Sequence, residues 1–237
     1  MTQRLEGRWA LVTGASRGVG CQIVRGLAEL GCHLILHSRK REHTAQQINT
    51  LRETGIQAIS VAGDLSEISQ VDAFLNEALS QVPQIDILYN NAGIMAPWRE
   101  NSWTSTPEDY QRSFAVNVIS PVRLCNRLIP LMLQRHWGRV INVTSGIRNE
   151  PQLAAYAASK AALDKFVRDF APSLQGTGVQ MNLMDPGWLR TDLGGPNAPN
   201  DPITVLPGAL VPVLLNDGIS GRLFEAQNYV GSNLENL

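Results

Sequence analysis

The chain has 237 residues, 20 basic against 21 acidic side chains, and a formal net charge of -1. With 43% hydrophobic and 17% charged residues it reads as a globular chain long enough to bury a substantial core. The balanced charge argues against a nucleic-acid partner, which calls for a basic excess or stripe. The apolar run 209–215, seven residues interrupted by Pro212, is far short of the roughly 20 that a membrane-spanning helix needs, so no membrane partner is expected.

The start, residues 1–9, carries Arg4, Glu6 and Arg8 and no apolar signal segment. Residues 9–13 form a compact apolar strand, followed by glycines at 14–20 and a helix carrying Ile23, Val24, Leu27, Ala28 and Leu30, with Gly31 placed to cap it. A second strand at 34–36 leads to a polar helix over 42–52 that Gly55 stops. A third strand at 59–62 precedes a helix on which Ile68, Val71, Phe74, Leu75, Ala78 and Leu79 recur at helical spacing. A fourth strand follows at 85–89.

Thr106-Pro107-Glu108-Asp109 predicts a helix start, with Thr106 as N-cap and Pro107 at the first helical position, and the pattern continues to about residue 136. A fifth strand at 140–143, a helix over 154–174 and a sixth strand at 179–184 complete the alternation. Strands alternating with crossover helices predict an α/β fold, a single doubly wound Rossmann-type domain over 1–237 with a central parallel sheet flanked by helices on both faces. The stretch 194–208, rich in Pro, Gly and Asn, reads as a mobile loop, and 187–208 as a substrate loop.

Thr13-Gly14-Ala15-Ser16-Arg17-Gly18-Val19-Gly20 lies between the first strand and the first helix. Glycines there let backbone approach a pyrophosphate, and the helix start offers free N–H groups; a plain tight turn is the alternative. It is not a P-loop, since no Lys-Ser/Thr pair follows the last glycine. An NAD site usually carries an acidic residue at the end of the second strand to bind the ribose 2′-hydroxyl. Here that stretch reads His37-Ser38-Arg39-Lys40-Arg41, which suits a 2′-phosphate or is simply solvated surface charge.

Tyr156 and Lys160 are four apart and share a helix face. A nearby ammonium lowers the pKa of a phenol from about 10, which would make Tyr156 a usable acid/base near neutral pH. Ser145 follows the fifth strand, where strand ends open onto a cleft. Asn117 interrupts an apolar stretch, so it is hydrogen-bonded either structurally or in a relay. The histidines His33, His37, His43 and His136 show no ligand spacing and no metal is expected. Cys21, Cys32 and Cys125 cannot all pair and lie in no Cys-x-x-Cys motif, consistent with free thiols and a cytoplasmic location.

Together these residues resemble the short-chain dehydrogenase/reductase family: the glycine turn (13–20), Asp64-Leu65, Asn90-Asn91-Ala92-Gly93, Asn117, Ser145, Tyr156-x-x-x-Lys160 and Pro186-Gly187-x-x-x-Thr191 occur in its order. The resemblance implies NADP(H) as cofactor and a carbonyl or alcohol as small-molecule substrate. Tyr156 would move the proton, Ser145 bind the carbonyl, Lys160 hold the nicotinamide ribose and tune Tyr156, and Asn117 hold a relay water. It also implies cofactor contacts from Gly14, Ser16, Arg17, Gly18, Val19, Gly20, Ser38, Arg39, Asp64, Leu65, Asn91, Ala92, Gly93, Pro186, Gly187 and Thr191. Asn90 and Asn91 would otherwise staple the fourth strand.

The chain departs from the pattern at Asp185, where many members carry a neutral residue, and in the eleven-position spacing from Ser145 to Tyr156. A homo-oligomer, tetramer or dimer, is expected through the helices at 107–136 and 154–174, with Leu124, Leu128, Leu131, Phe166 and Phe170 as apolar surface. The Trp188-to-Pro196 stretch resembles the carbonyl-reductase branch, with Met95, Trp98 and Trp188 walling an apolar pocket or else lying in the core. The alternatives are a 3-oxoacyl-(acyl carrier protein) reductase, whose acidic partner would dock on Arg123, Arg127, Arg135, Lys165 and Arg168, and a catalytically inactive dinucleotide sensor or scaffold. Against the last, Asn117, Ser145, Tyr156 and Lys160 are all present.

Overall fold

Both faces of every central strand must be covered, because apolar residues occupy odd and even positions alike. In a computed structural model, which describes residues 5–234, Ala10 and Val12 of β1 (Trp9–Val12) face one core while Trp9 and Leu11 face the other. Leu34 and Leu36 of β2 (His33–Ser38) divide from Ile35 in the same way. Residues 1–4, at the head of the stretch read as lacking a signal segment, and 235–237 of the expected 1–237 domain lie outside the described residues.

The remaining strands are β3 (Ala58–Ala62), β4 (Ile87–Asn90), β5 (Gly138–Val143), β6 (Val179–Asp185) and β7 (Leu223–Glu225). All pair in parallel in the order β3-β2-β1-β4-β5-β6-β7. The chain builds outward from β1 in one direction and, from β4, in the other. The crevice beyond the carboxyl ends of β1 and β4 is therefore the topological switch point, where ligands bind in such sheets.

One face carries α1 (Gly18–Glu29), with Ile23, Val24 and Leu27 in its core. Gly31, at φ 79°, ends it in a Schellman arrangement: its N–H donates to Ala28 O and the Cys32 N–H to Leu27 O. The other face carries α3 (Ile68–Gln81), α5 (Ser120–Gln134) and α6 (Ala154–Phe170), which pack Phe74, Leu75, Leu124, Leu128 and Val167 beneath the sheet. The short α2 (Ala45–Glu53) lies beside β3.

Three expectations are corrected. The helix expected to run to about residue 136 is two helices, α4 (Pro107–Phe114) and α5, joined by a π-helical turn at Ala115–Ile119. Asn117 lies inside that turn, and its tie to neighbouring elements supplies the reason for the irregularity. Leu124 and Leu128 are core residues, each 1% exposed, so the free apolar surface here is Ile119 and Phe170. A seventh strand, β7, was not expected, since three residues with only Phe224 buried leave no periodicity to read. The stretch 194–208 holds a 3₁₀ turn at Pro202–Val205, buries Ala198 and Val205, and is tied by Arg190 to the carbonyls of Ala198 and Pro199 at 3.1 and 2.8 Å.

Candidate active site

The turn between β1 and α1 is built for close approach. Gly14 and Gly18 hold φ of 64° and 55°, and a Cβ on Gly20 would lie 2.2 Å from the Gly14 carbonyl oxygen. Arg17, at the N-cap, makes no side-chain cap, and the first turn of α1 has no acidic residue. Its N–H groups and dipole are thus left for an anion, and the turn fits a dinucleotide pyrophosphate. Ser16 and Val19 are half-buried beside it.

Neighbouring strands fix this turn. Thr13 Oγ1 donates to Tyr89 O at 3.1 Å and accepts the N–H groups of Asn91 and Ala92 at 3.0 and 3.1 Å. Asn91 Nδ2 donates to the carbonyls of Thr13 and Gly14 at 2.8 and 3.2 Å. Asn91 therefore staples the cradle, while Asn90 Nδ2 donates to Asn142 Oδ1 at 2.8 Å and staples β4 to β5.

At the end of β2, the Ser38 hydroxyl donates to Lys40 O at 2.6 Å and shapes the bend that presents Arg39 and Lys40 to solvent. Arg39 forms no ion pair among the described residues, whereas Arg17 is paired with Asp192 at 2.9 Å. Of Arg17 and Arg39, the two cations expected to contact the cofactor, only Arg39 forms no ion pair among the described residues. Asp64 accepts Ser66 N–H and hydroxyl groups, each at 2.8 Å, which hold its carboxyl below the usual range. Buried Leu65 follows it, its carbonyl accepting the Ser120 hydroxyl.

The catalytic candidates converge on the first turns of α6. Lys160 is buried, and its Nζ donates to Val143 O at 2.8 Å while standing 5.8 Å from the Tyr156 ring centroid. Burial pushes its ammonium down to about 8, against the pull of the Asp164 and Asp185 charges. Burial also raises the Tyr156 phenol; the Ser145 hydroxyl lowers it and the Asp185 carboxylate adds to the rise. The expected lowering by Lys160 is thereby corrected, because desolvation dominates at the phenol.

Asn117 is fully enclosed. Its Oδ1 accepts Ile94 N–H and its Nδ2 donates to Ile94 O and Ser159 Oγ, all at 2.9 Å. Ser159 Oγ donates in turn to Tyr156 O at 2.7 Å, so Asn117 braces the turn that carries the phenol. A Cβ on Gly93 would lie 3.5 Å from both Asn117 Oδ1 and Lys160 Nζ. Glycine there keeps the space between them open.

The loop after β6 closes the remaining side. Gly187, at φ 79°, lies where a side chain would meet Gln227 Cγ at 2.7 Å, and Pro186 O accepts Gln227 Nε2 at 2.8 Å. Thr191 accepts Gly194 N–H at 3.0 Å, and its methyl would touch a Cβ on Gly18 at 3.2 Å. Trp98 and Trp188 are 60% and 58% exposed, and Met95 is exposed as well, so none of the three is a core residue.

Three supporting groups were missed in the sequence. His37 is fully buried, its Nδ1 accepting Gly14 N–H at 3.5 Å and its Nε2 lying 3.1 Å from Gly63 O, and burial drives it down to about 4. Thr13 was read only as part of a motif. Asp164, which accepts the Thr144 hydroxyl, stands one turn beyond Lys160, and burial raises its carboxyl. A polar residue inside an apolar strand was the available signal for His37.

Comparison with known proteins agrees with this geometry. A family profile for short chain dehydrogenases matches residues 8–201. The chain is 36% identical over 203 residues to the NADPH-dependent aldehyde reductase-like protein, chloroplastic, of Arabidopsis thaliana, covering 80% of this chain and 75% of that one. It is 32% identical over 199 residues to a short chain dehydrogenase of Pseudocercospora fijiensis, covering 82% of this chain but spanning only 63% of that relative's length. The crystal structure of a 3-oxoacyl (acyl-carrier-protein) reductase from Agrobacterium tumefaciens C58 with NADP bound superposes with a TM-score of 0.84 at 30% identity, over 94% of each chain. The chain belongs to the short chain dehydrogenase family. Among the described residues no helix is long and apolar enough to cross a membrane.

Proposed function

We propose that this protein is an NADP(H)-dependent reductase that converts a small-molecule carbonyl to an alcohol, or the reverse, with Tyr156 as the acid/base. One observation carries the reading: buried Lys160 stands 5.8 Å from the ring of buried Tyr156, one turn apart on α6, with Ser145 beside the phenol. Bound NADPH would supply the hydride. Ser145 and Tyr156 hold the carbonyl oxygen, and Tyr156 gives up its proton as negative charge develops there. Lys160 and Asn117 hold the floor beneath the phenol, while the glycine turn, Asp64, Asn91 and Thr191 frame the cofactor.

NADP(H) rather than NAD(H) is supported by uncommitted Arg39 at the end of β2, by the name of the Arabidopsis relative and by the NADP in the Agrobacterium structure. Exposed Met95, Trp98 and Trp188 favour an apolar or aromatic substrate over a carrier protein. The docking face that a carrier protein would need is largely engaged: Arg123 and Arg127 both bind Asp72, and Lys165 pairs with Asp169. The loop at 187–208 moves with substrate on this reading, and Ile119 and Phe170 supply the face for self-assembly.

The test is NADPH consumption by the purified protein against aldehydes, diketones, steroids and acetoacetyl thioesters. Turnover is expected with aromatic aldehydes or ketones. Turnover confined to the thioesters would favour the carrier-protein branch, and cofactor binding without any turnover would favour a sensor.

A further inference from the structure

One charged group outside the catalytic set faces it. Asp185 ends β6, immediately before Pro186-Gly187. Its Oδ1 accepts the Gly187 N–H at 2.9 Å, an Asx turn that fixes the carboxylate. Its Oδ2 has no hydrogen-bond or ion-pair partner among the described residues. That oxygen lies over Gly146, where a Cβ would come within 2.7 Å of it. Gly146 directly follows Ser145, so the bare glycine leaves the second oxygen of Asp185 open beside the hydroxyl assigned to the substrate carbonyl. The carboxylate is half-buried, and its charge reaches Tyr156, Lys160 and Asp164, favouring the protonated form of each. A partly desolvated acceptor with one oxygen unused is costly unless a ligand supplies a donor.

We propose that Asp185 is a specificity residue whose free oxygen accepts a hydrogen bond from a hydroxyl on the carbon next to the reacting carbonyl, and that it disfavours substrates with a carboxylate there. This rests on the carbonyl-reductase reading above. The geometry separates the two jobs of the side chain: Oδ1 holds the Gly187 turn and Oδ2 reads the substrate. A site built to receive a substrate hydroxyl discriminates strongly against the analogue that lacks it.

The experiment compares kcat/KM for 2-hydroxyacetophenone, propiophenone and phenylglyoxylate in wild type, Asp185→Asn and Asp185→Ala, with NADPH as reductant. Asparagine keeps an acceptor for Gly187 but removes the charge. The ratio of hydroxyketone to propiophenone should fall about tenfold in Asp185→Asn and about ten- to a hundredfold in Asp185→Ala. Phenylglyoxylate should improve severalfold in Asp185→Asn as repulsion is lost. An unchanged ratio in both variants, or an equal fall on all three ketones in Asp185→Asn, overturns the assignment and leaves carbonyl reduction standing. A wild type that consumes no NADPH with any of the three ketones, or with the wider panel above, overturns both readings together.

Discussion

At the β1–β4 end of the cleft, the glycine turn is gripped by Thr13, Asn91 and His37, whose polar atoms are bonded to backbone of the turn or of the strands beside it. In the loop after β6, Trp188 is mostly exposed, as is Trp98 in the loop after β4, and Asp192 meets Arg17 of the glycine turn as a solvent-washed pair. The first end is a rigid anion cradle whose shape depends on missing side chains and internal hydrogen bonds. The second is a set of loops whose large side chains have little protein to pack against. One region is built to hold a constant part of the reaction, the other to meet a variable one. Damage to the two ends should therefore differ in kind: stability and cofactor choice at the first, turnover and substrate choice at the second.

The strongest break is expected where the two ends meet. Tyr156→Phe removes the one proton donor while leaving the ring, the α6 packing and the Lys160 bond to Val143 in place. Turnover should fall about 10²–10⁴-fold, with NADPH affinity and thermal midpoint close to wild type. Steady-state kinetics beside a cofactor titration check both halves, and near-normal turnover would remove Tyr156 from its role.

His37 tests the cradle as a structural unit. An unfolded chain protonates this imidazole near 6.5, but burial holds it to about 4 in the fold. The unfolded state thus binds more protons between those values, and stability present above pH 6.5 is lost as pH falls toward 4. The contribution is up to about 3 kcal/mol. Urea unfolding at several pH values should show a slope in that window that His37→Gln flattens. An equal slope in both proteins would mean that the imidazole is not held neutral.

Most of the framework was legible because it is local. Strands β1 to β6 each occupy a short apolar run between turn signals, and Thr106 is the N-cap of α4 with Pro107 at its first position, as read. The site residues were legible because their spacing carries them: Tyr156 and Lys160 must share a helix face. The illegible parts depend on long-range contact. The π turn exists because Asn117 bonds Ile94 and Ser159, residues 23 and 42 positions away. The raised Tyr156 phenol follows from burial among elements brought together only by folding, and β7 is a strand only because Arg222 and the residues after it meet the edge of β6. The direction of a pKa shift is a property of the assembled site, and helical spacing alone did not supply it.

The smallest of the expected effects sharpens the comparison most, because it asks whether the rigid end also carries specificity. Arg39 is the uncommitted cation after Ser38, while Arg17 is already occupied by Asp192. A hydrogen bond to a charged group contributes about 1.5–3 kcal/mol, and roughly 1.4 kcal/mol is tenfold in affinity. Arg39→Ala should therefore weaken NADPH about ten- to a hundredfold and leave NADH nearly unchanged, whereas Arg17→Ala should alter the ratio far less. Lys40 stands next in the chain and is also exposed, so Lys40→Ala serves as the control for a shared contact. Ser38→Asp should go further than either, since a carboxylate repels a 2′-phosphate and accepts from a 2′-hydroxyl. The readout is the NADPH/NADH ratio of kcat/KM across the four variants. A ratio that follows Arg17 instead would move the 2′-phosphate contact into the glycine turn and make the Asp192 pair its competitor. A ratio indifferent to all four would reduce the cluster at 38–40 to surface charge, and the cradle would then choose its cofactor by shape alone.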